Sequence, residues 1–323
     1  MIRKTACLLF LTVILCTGCK RVLNREEAER SLKVLNSNLV NFISLSSEKP
    51  EIQGLYFLLD EPASPLTLTQ NRNFFKRGTS SDSPAKLKGI YQWYPGKKLF
   101  EKKDTSKQLV LLFPLEEKPG DSARFVLSEF ESQDCKSRPE FPVTIKADMF
   151  INGLKKLTID HQAEVQDNLP LHVSGLVAGD GYKLIYHLNR TRQEESGTID
   201  LDLILKANGF ELCSFGANAK IGYSRQGYYF RYISFQLKIF EHEITGELDY
   251  SKIDPTASDY IDLFNRYSRI GIRETAGPEV GNIILGETGN GELLDYFVKF
   301  ANGDKVLLSS YIPMLKKILN YKY

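Results

Sequence analysis

Apolar and polar residues change rhythm twice along this chain. Ala28, Leu32, Leu35, Leu39 and Phe42 follow one another at spacings of three and four, which places them on one stripe of a helix. Asn24 is a good N-cap and Glu27, three residues on, completes a capping-box pattern, so the helix is predicted to start there and to end near Ser44 to Ser47. Its polar face, with Glu26, Arg30, Lys33 and Asn36, is not strongly cationic, which favours burial against a sheet over a place on a membrane surface. Leu55 to Leu59 reads as a short apolar strand. Glu61 to Pro84 gathers Pro62, Pro65, Gly78 and Pro84 among Ser, Thr and Asn, the composition of a loop.

From Lys88 onward the period becomes two. Gly89 to Tyr94 and Lys97 to Lys103 flank Pro95-Gly96 and predict a hairpin; Gln108 to Leu115 is almost continuously apolar, as in a strand covered on both faces or lying in the deepest part of a sheet. Arg124 to Glu131 alternates. Thr144 to Phe150 and Leu154 to Val165 then meet at Asn152-Gly153, and Thr198 to Lys206 and Phe210 to Ile221 meet at Asn208-Gly209, the strongest short hairpin signal there is. The two units are offset by about 54 to 56 residues, which fits either an internal repeat or the common grammar of antiparallel hairpins. Leu171 to Ala178, Tyr182 to Asn189, Tyr228 to Ile239 and Glu241 to Tyr250 are long and rich in Tyr, Phe, Ile and Leu. Several exceed the usual strand of about 5 to 6 residues. Long consecutive antiparallel strands accumulate twist and curl.

Ile261, Phe264 and Tyr267 return to helical spacing within 256–270, Asn282 to Leu285 and Leu293 to Phe300 form a last hairpin, Asn302-Gly303 turns, and Tyr311 to Tyr323 closes as a short helix with Pro313 in its first turn. The expected fold is therefore mainly β (α+β): a long curved antiparallel sheet or half-barrel, with an N-terminal helix, one helix near 256–270 and a short C-terminal helix. The expected organisation is a signal peptide over 1–18, a tether over 19–23, a helix, short strand and loop over 24–84, and the antiparallel β domain over 85–323.

The first nineteen residues supply an address. Arg3 and Lys4 precede an apolar run from Ala6 to Cys16, too short for a stable membrane anchor, which needs roughly 20 residues. Leu15-Cys16-Thr17-Gly18-Cys19 resembles the lipobox of bacterial lipoproteins, although Cys16 stands where that family usually has Leu. The resemblance implies cleavage before Cys19 and acylation of that residue, hence a bacterial membrane as partner. The other reading is an ordinary cleaved signal with a free Cys19. With 1–18 removed, the mature chain has 305 residues, and the loss of Arg3 and Lys4 from 42 basic side chains leaves 40 against 40 acidic ones. A neutral chain lacks the one-sided basic field with which nucleic-acid binders collect phosphates, so nucleic acid is not expected as a partner.

Only Cys135 and Cys213 remain besides Cys19, and a Cys135–Cys213 disulfide or two free thiols are both open. Candidate chemistry is sparse. No phosphate loop ending in Lys-Ser/Thr, Gly-x-Ser-x-Gly elbow or His-Glu-x-x-His helix is present. Gly286 to Gly291 joins two strands, whereas a dinucleotide loop must open a helix. His161, His172, His187 and His242 lie singly in different strands and predict no metal site. Asp200 and Asp202 share a strand face at a spacing that suits a glycosidase pair on paper, but a solvated face explains them better. No cofactor and no catalysis are expected, and the ligand-binding residues stay unassigned.

In layout the chain resembles uncharacterised outer-envelope lipoproteins of Gram-negative anaerobes, with the 15–19 segment as the one specific motif. In wider outline it resembles the half-barrel of LolA- and LppX-type lipoprotein carriers, a likeness of fold that transfers no ligand residue. These resemblances imply a non-catalytic, lipid-anchored protein of the cell envelope whose curved sheet takes an apolar or lipid ligand. The alternative is a surface recognition module for glycans or proteins that uses aromatics such as Trp93 and Tyr94.

Overall fold

In the computed structural model, residues 21–61, 63–64, 66, 87–115, 122–135, 138–224, 227–254, 256–288 and 293–313 are described. The signal segment and Cys19, nearly all of the predicted 61–84 loop and the tail of the predicted C-terminal helix lie outside them. The chain is mainly β. Sixteen strands form one long, curved, open sheet in the order β16-β15-β14-β13-β12-β11-β10-β9-β8-β7-β6-β5-β4-β3-β1-β2. From β3 onward every strand pairs antiparallel with its successor. One pair departs from the expected antiparallel sheet: the β1–β2 hairpin folds so that β1 runs parallel to β3, with Tyr91 beside Leu111.

The first helix, α1 (Arg25–Ser47), has the predicted start and end. Asn24 Oδ1 accepts from the Glu27 backbone (3.0 Å), and the Glu27 carboxylate accepts from the Asn24 backbone (3.2 Å). Its stripe buries Ala28, Leu32 and Leu35, with Leu39 packed alongside. The short strand expected at Leu55 to Leu59 is instead the end of a second helix, α2 (Pro50–Asp60). Pro50 occupies its first turn, where the missing N–H costs nothing. A five-residue apolar run fits a strand or one side of a helix equally well, and here Gly54 decides. It lets the helix seat closely on Met149 and Phe113 of the sheet. The remaining helices are α3 (Tyr260–Tyr267), within the predicted 256–270, and the single turn α4 (Leu308–Tyr311).

The central strands are long: β4 (Ser122–Cys135), β5 (Arg138–Ile151), β6 (Leu154–Gln166), β7 (Leu169–Gly179), β8 (Tyr182–Gln193), β9 (Ser196–Ala207), β10 (Phe210–Ser224) and β11 (Gly227–Ile239). Those before them are β1 (Gly89–Tyr94), β2 (Leu99–Asp104) and β3 (Leu109–Pro114); those after are β12 (His242–Leu248), β13 (Ser268–Glu274), β14 (Glu279–Thr288), β15 (Leu293–Lys299) and β16 (Lys305–Leu307). Asn152 and Gly153, with φ of 50° and 80°, and Asn208 and Gly209, with 50° and 84°, make the two-residue turns that match right-handed strand twist. The edges are blunted: β16 has three residues, and β2 carries Glu101, Lys102, Lys103 and Asp104.

Because paired residues share a face, the register assigns each residue to one side of the sheet. Leu111, Phe125, Ala147, Ile159, Val177 and Leu184 lie on one side, and the same side continues through Leu205, Cys213, Ile239 and His242. Both N-terminal helices sit on this apolar side. α1 with α3 and α4 covers β12–β15 and closes one core around Leu32, Leu35, Ile272, Val280 and Val298. α2 covers the β1–β6 region and closes a second core around Leu58, Leu111, Phe113 and Met149. The exposed side carries Asp160, Gln162, Asp200, Asp202 and Asn218.

The contacts of α1 show how it runs. Ser31 meets His242 and Glu274, Phe42 meets Phe240 across 6.3 Å, and Lys49 Nζ donates to Asp180 O at 2.8 Å. All four sheet residues lie at the turns of one end of the sheet, called here the proximal end. α1 therefore crosses the strand ends and spans from one core to the other.

Candidate functional site

Between the two cores much of the apolar side of β7–β10 belongs to neither, although Val177 and Tyr182 pack against the second. Tyr186, Leu188, Ile199, Leu201, Leu203 and Phe215 lie together there, and each is only half-buried. Four strands at about 4.8 Å spacing make this strip roughly 15–20 Å wide. Its size alone is ordinary for the largest apolar patch of a monomer. What sets it apart is continuity: it joins both cores, and among the described residues no helix lies over its distal half, where Arg190, Ala219 and Ile221 are nonetheless buried.

Glycines and aromatics shape its surface. A Cβ on Gly175 would fall inside the Tyr186 ring, and one on Gly246 inside the ring of Phe235, so each ring lies flat across the neighbouring strand. Tyr186 Oη bonds His161 Nδ1 (2.8 Å), while His161 Nε2 reaches the Pro142 carbonyl (3.2 Å). At the distal end Arg190 is only 2% exposed. Its Nε donates to Pro170 O (2.8 Å), Nη2 to Gln166 O (2.9 Å), and Nη1 to Tyr223 Oη (3.0 Å). These bonds hold the β6–β7 turn, whose Asp167 and Asn168 both have positive φ. Beside them Arg192 stacks 4.8 Å over the Tyr223 ring and pairs with Asp167.

A second polar group lies beneath α1. Ser31 Oγ is 2.8 Å from His242 Nε2 and 2.9 Å from Glu274 Oε1, with Ser31 and His242 buried. The hydroxyl has one proton. Bonding both neighbours, it accepts from Nε2–H and donates to the carboxylate. Nε2, the nitrogen that faces the serine, is then a donor and has no free pair to take the hydroxyl proton, the reverse of what a nucleophilic serine needs. Nδ1 is buried without a partner. Burial pushes His242 below the ordinary histidine range, against the pull of Glu274, so the ring is neutral. This relay is a brace between α1, β12 and β13.

The other candidates separate. His172 and His187 are exposed on the polar side, away from His161, and among the described residues no three His, Cys, Asp or Glu side chains converge as metal ligands. Asp200 accepts from Asn218 Nδ2 (2.5 Å), and Asp202 faces open solvent beside Gly216. Both stand on the polar side of β9. Cys213 is a free thiol on β10, half-buried and raised by burial. Cys135 ends β4, six strands away, or about 29 Å along the sheet. Bridged cysteines have Cα atoms within about 7 Å, so the bridge reading gives way to a free thiol at Cys213. Trp93 is 7% exposed and packs edge-on against Phe57 at 5.3 Å, which removes it as a surface aromatic; Tyr94 is exposed under Lys97. Cys19 lies outside the described residues, none of whose helices is long and apolar enough to cross a membrane.

Sequence reasoning missed Arg190 and the Ser31–His242 pair. Arg190 had one available signal: it interrupts the apolar phase of Tyr182, Leu184, Tyr186 and Leu188. No protein-family model, curated protein or solved structure matches this chain.

Proposed function

We propose that this is a non-catalytic, lipid-anchored protein of the bacterial envelope that binds an apolar or amphiphilic ligand along the half-buried strip of β7–β10. The supporting observation is that strip: a half-buried face of Leu, Ile, Tyr and Phe running without a break between two closed cores. Leaving such a surface in water forfeits roughly 25 cal/mol for each Å² a ligand would cover, so an acyl chain gains by lying on it. The anchor rests on the lipobox-like segment ending at Cys19. The test is solvent extraction and mass spectrometry of the purified full chain. Chains held covalently at Cys19 stay with the protein on extraction, and the lipid lost from a strip variant is the lipid the strip held. Lipid should co-purify with the wild type and fall several-fold in a Leu201→Glu, Leu203→Glu variant; equal amounts in both would sink the proposal.

A second reading, recognition of glycans or proteins, draws on the distal tip of β10–β11. Tyr228, Tyr229 and Phe230 are exposed there, and Arg231 lies 5.5 Å over the Tyr229 ring. Binding to glycan arrays that is lost in Tyr228→Ala, with no extractable lipid, would favour this reading.

A further inference from the structure

The chain enters the folded body at one corner of the proximal end. Glu279 N donates to Arg21 O (3.0 Å) and Leu23 N donates to Glu279 O (2.9 Å), so the 21–23 segment runs parallel to the start of β14 and Leu23 is buried in the first core. The same end carries the hairpin turns at Asn152-Gly153 and Asn208-Gly209, with α1 laid along it. The three most exposed large apolar side chains among the described residues are Phe210 (74%), Leu45 (66%) and Leu154 (66%), and all three are here.

Leu154 and Phe210 occupy the same place in two hairpins, directly after an Asn-Gly turn, four strands or about 19 Å apart. Lys155 follows Leu154 and pairs with Asp148 (3.3 Å), Lys49 and Lys156 meet Asp180 at the turn between the two hairpins, and Glu211 follows Phe210. Lysine side chains can lay their aliphatic stems on an apolar surface while the ammonium reaches phosphate oxygens. Apolar tips with lysines behind them fit the boundary between phospholipid headgroups and acyl chains.

We infer that the proximal end lies against a phospholipid bilayer, with Leu154 and Phe210 dipping into its surface. The inference deepens the proposed anchor and rests on it: a lipid on Cys19 stands two residues, at most about 7 Å of chain, from the fixed Arg21, and so at this same end. The strip of β7–β10 then rises from the membrane along its strands. The tip with Tyr228 is held away from lipid, since the 15 residues of β10 span about 45–50 Å.

Tryptophan quenching reads this directly, because the single native tryptophan, Trp93, is buried and gives a constant background. The full lipidated chain, carrying Phe210→Trp, Leu154→Trp or Tyr228→Trp, is placed on vesicles of phosphatidylcholine with a minor fraction of phosphatidylglycerol and of acyl-brominated lipid. The first two reporters should be quenched several-fold more than the third. Vesicle-bound protein in which Tyr228→Trp is quenched as much or more, or in which none is quenched, overturns the orientation and leaves the anchor standing. A Cys19→Ala chain that binds as well as the wild type overturns the anchor instead. No bound protein at all overturns both.

Discussion

Tyr186 lays its ring across Gly175 of the adjacent strand, in the place a Cβ would take, and ends in a hydrogen bond to His161. The missing side chain on β7 is thus replaced by one from β8, and the strip stays smooth where a larger residue would make a ridge. Gly175→Ala should cost about 1–3 kcal/mol, because the ring has backbone below it and must lift. Combining it with Tyr186→Ala should recover at least about 1 kcal/mol of that loss in urea titrations. Strict additivity of the two changes would mean the ring is not seated there.

Arg190 holds a turn by its carbonyls. Arg190→Met should destabilise by about 3 kcal/mol, because it strands buried acceptors that the guanidinium now satisfies. Arg190→Lys should restore little, since one ammonium cannot reach carbonyls on both sides of the turn and Tyr223 as a planar fork does. A loss under about 1 kcal/mol in the Met variant would contradict the bracing role.

The relay under α1 predicts a one-sided response to acid. His242 is lowered in the folded chain relative to about 6.5 unfolded, so below that value the unfolded chain binds the extra proton first. The stability tied to His242 is complete above pH 6.5 and is lost as pH falls towards the folded value. The fall in urea midpoint between pH 8 and pH 5 should therefore be larger for the wild type than for His242→Gln. An equal fall in both would assign the acid sensitivity to other groups.

Cys213 should react as a lone, poorly ionised thiol. Iodoacetamide labelling of the native protein at pH 8 should be slow, should accelerate on unfolding, and should reach the same extent at Cys213 with and without prior reduction. Labelling at Cys213 that requires a reductant would restore a disulfide.

Much of the architecture was legible because long regular periods leave little choice. The Asn24 to Glu27 box marked the start of α1, and two Asn-Gly turns fixed the β5–β6 and β9–β10 registers. α2 was misread because Leu55 to Leu59 is short and apolar throughout, so no polar residue reveals its period; only packing against Met149 chose the helix. The parallel seat of β1 depends on which strand edge is free, a tertiary fact with no local signature. The strip itself was visible as alternating Leu and Ile in β9, but alternation tells only which residues share a face. Whether a helix covers that face is decided by the length and path of α1, whose contacts run along the strand ends.

From β4 to β15 each strand pairs only with its chain neighbours, while α1 runs across the strand ends from one core to the other. A pair of strands added to or removed from the middle would change the distance between the two helix-capped ends, and α1, which spans that distance, would have to change length with it. The helix thus acts as a ruler: the reach of the sheet between its two ends is tied to the length of α1.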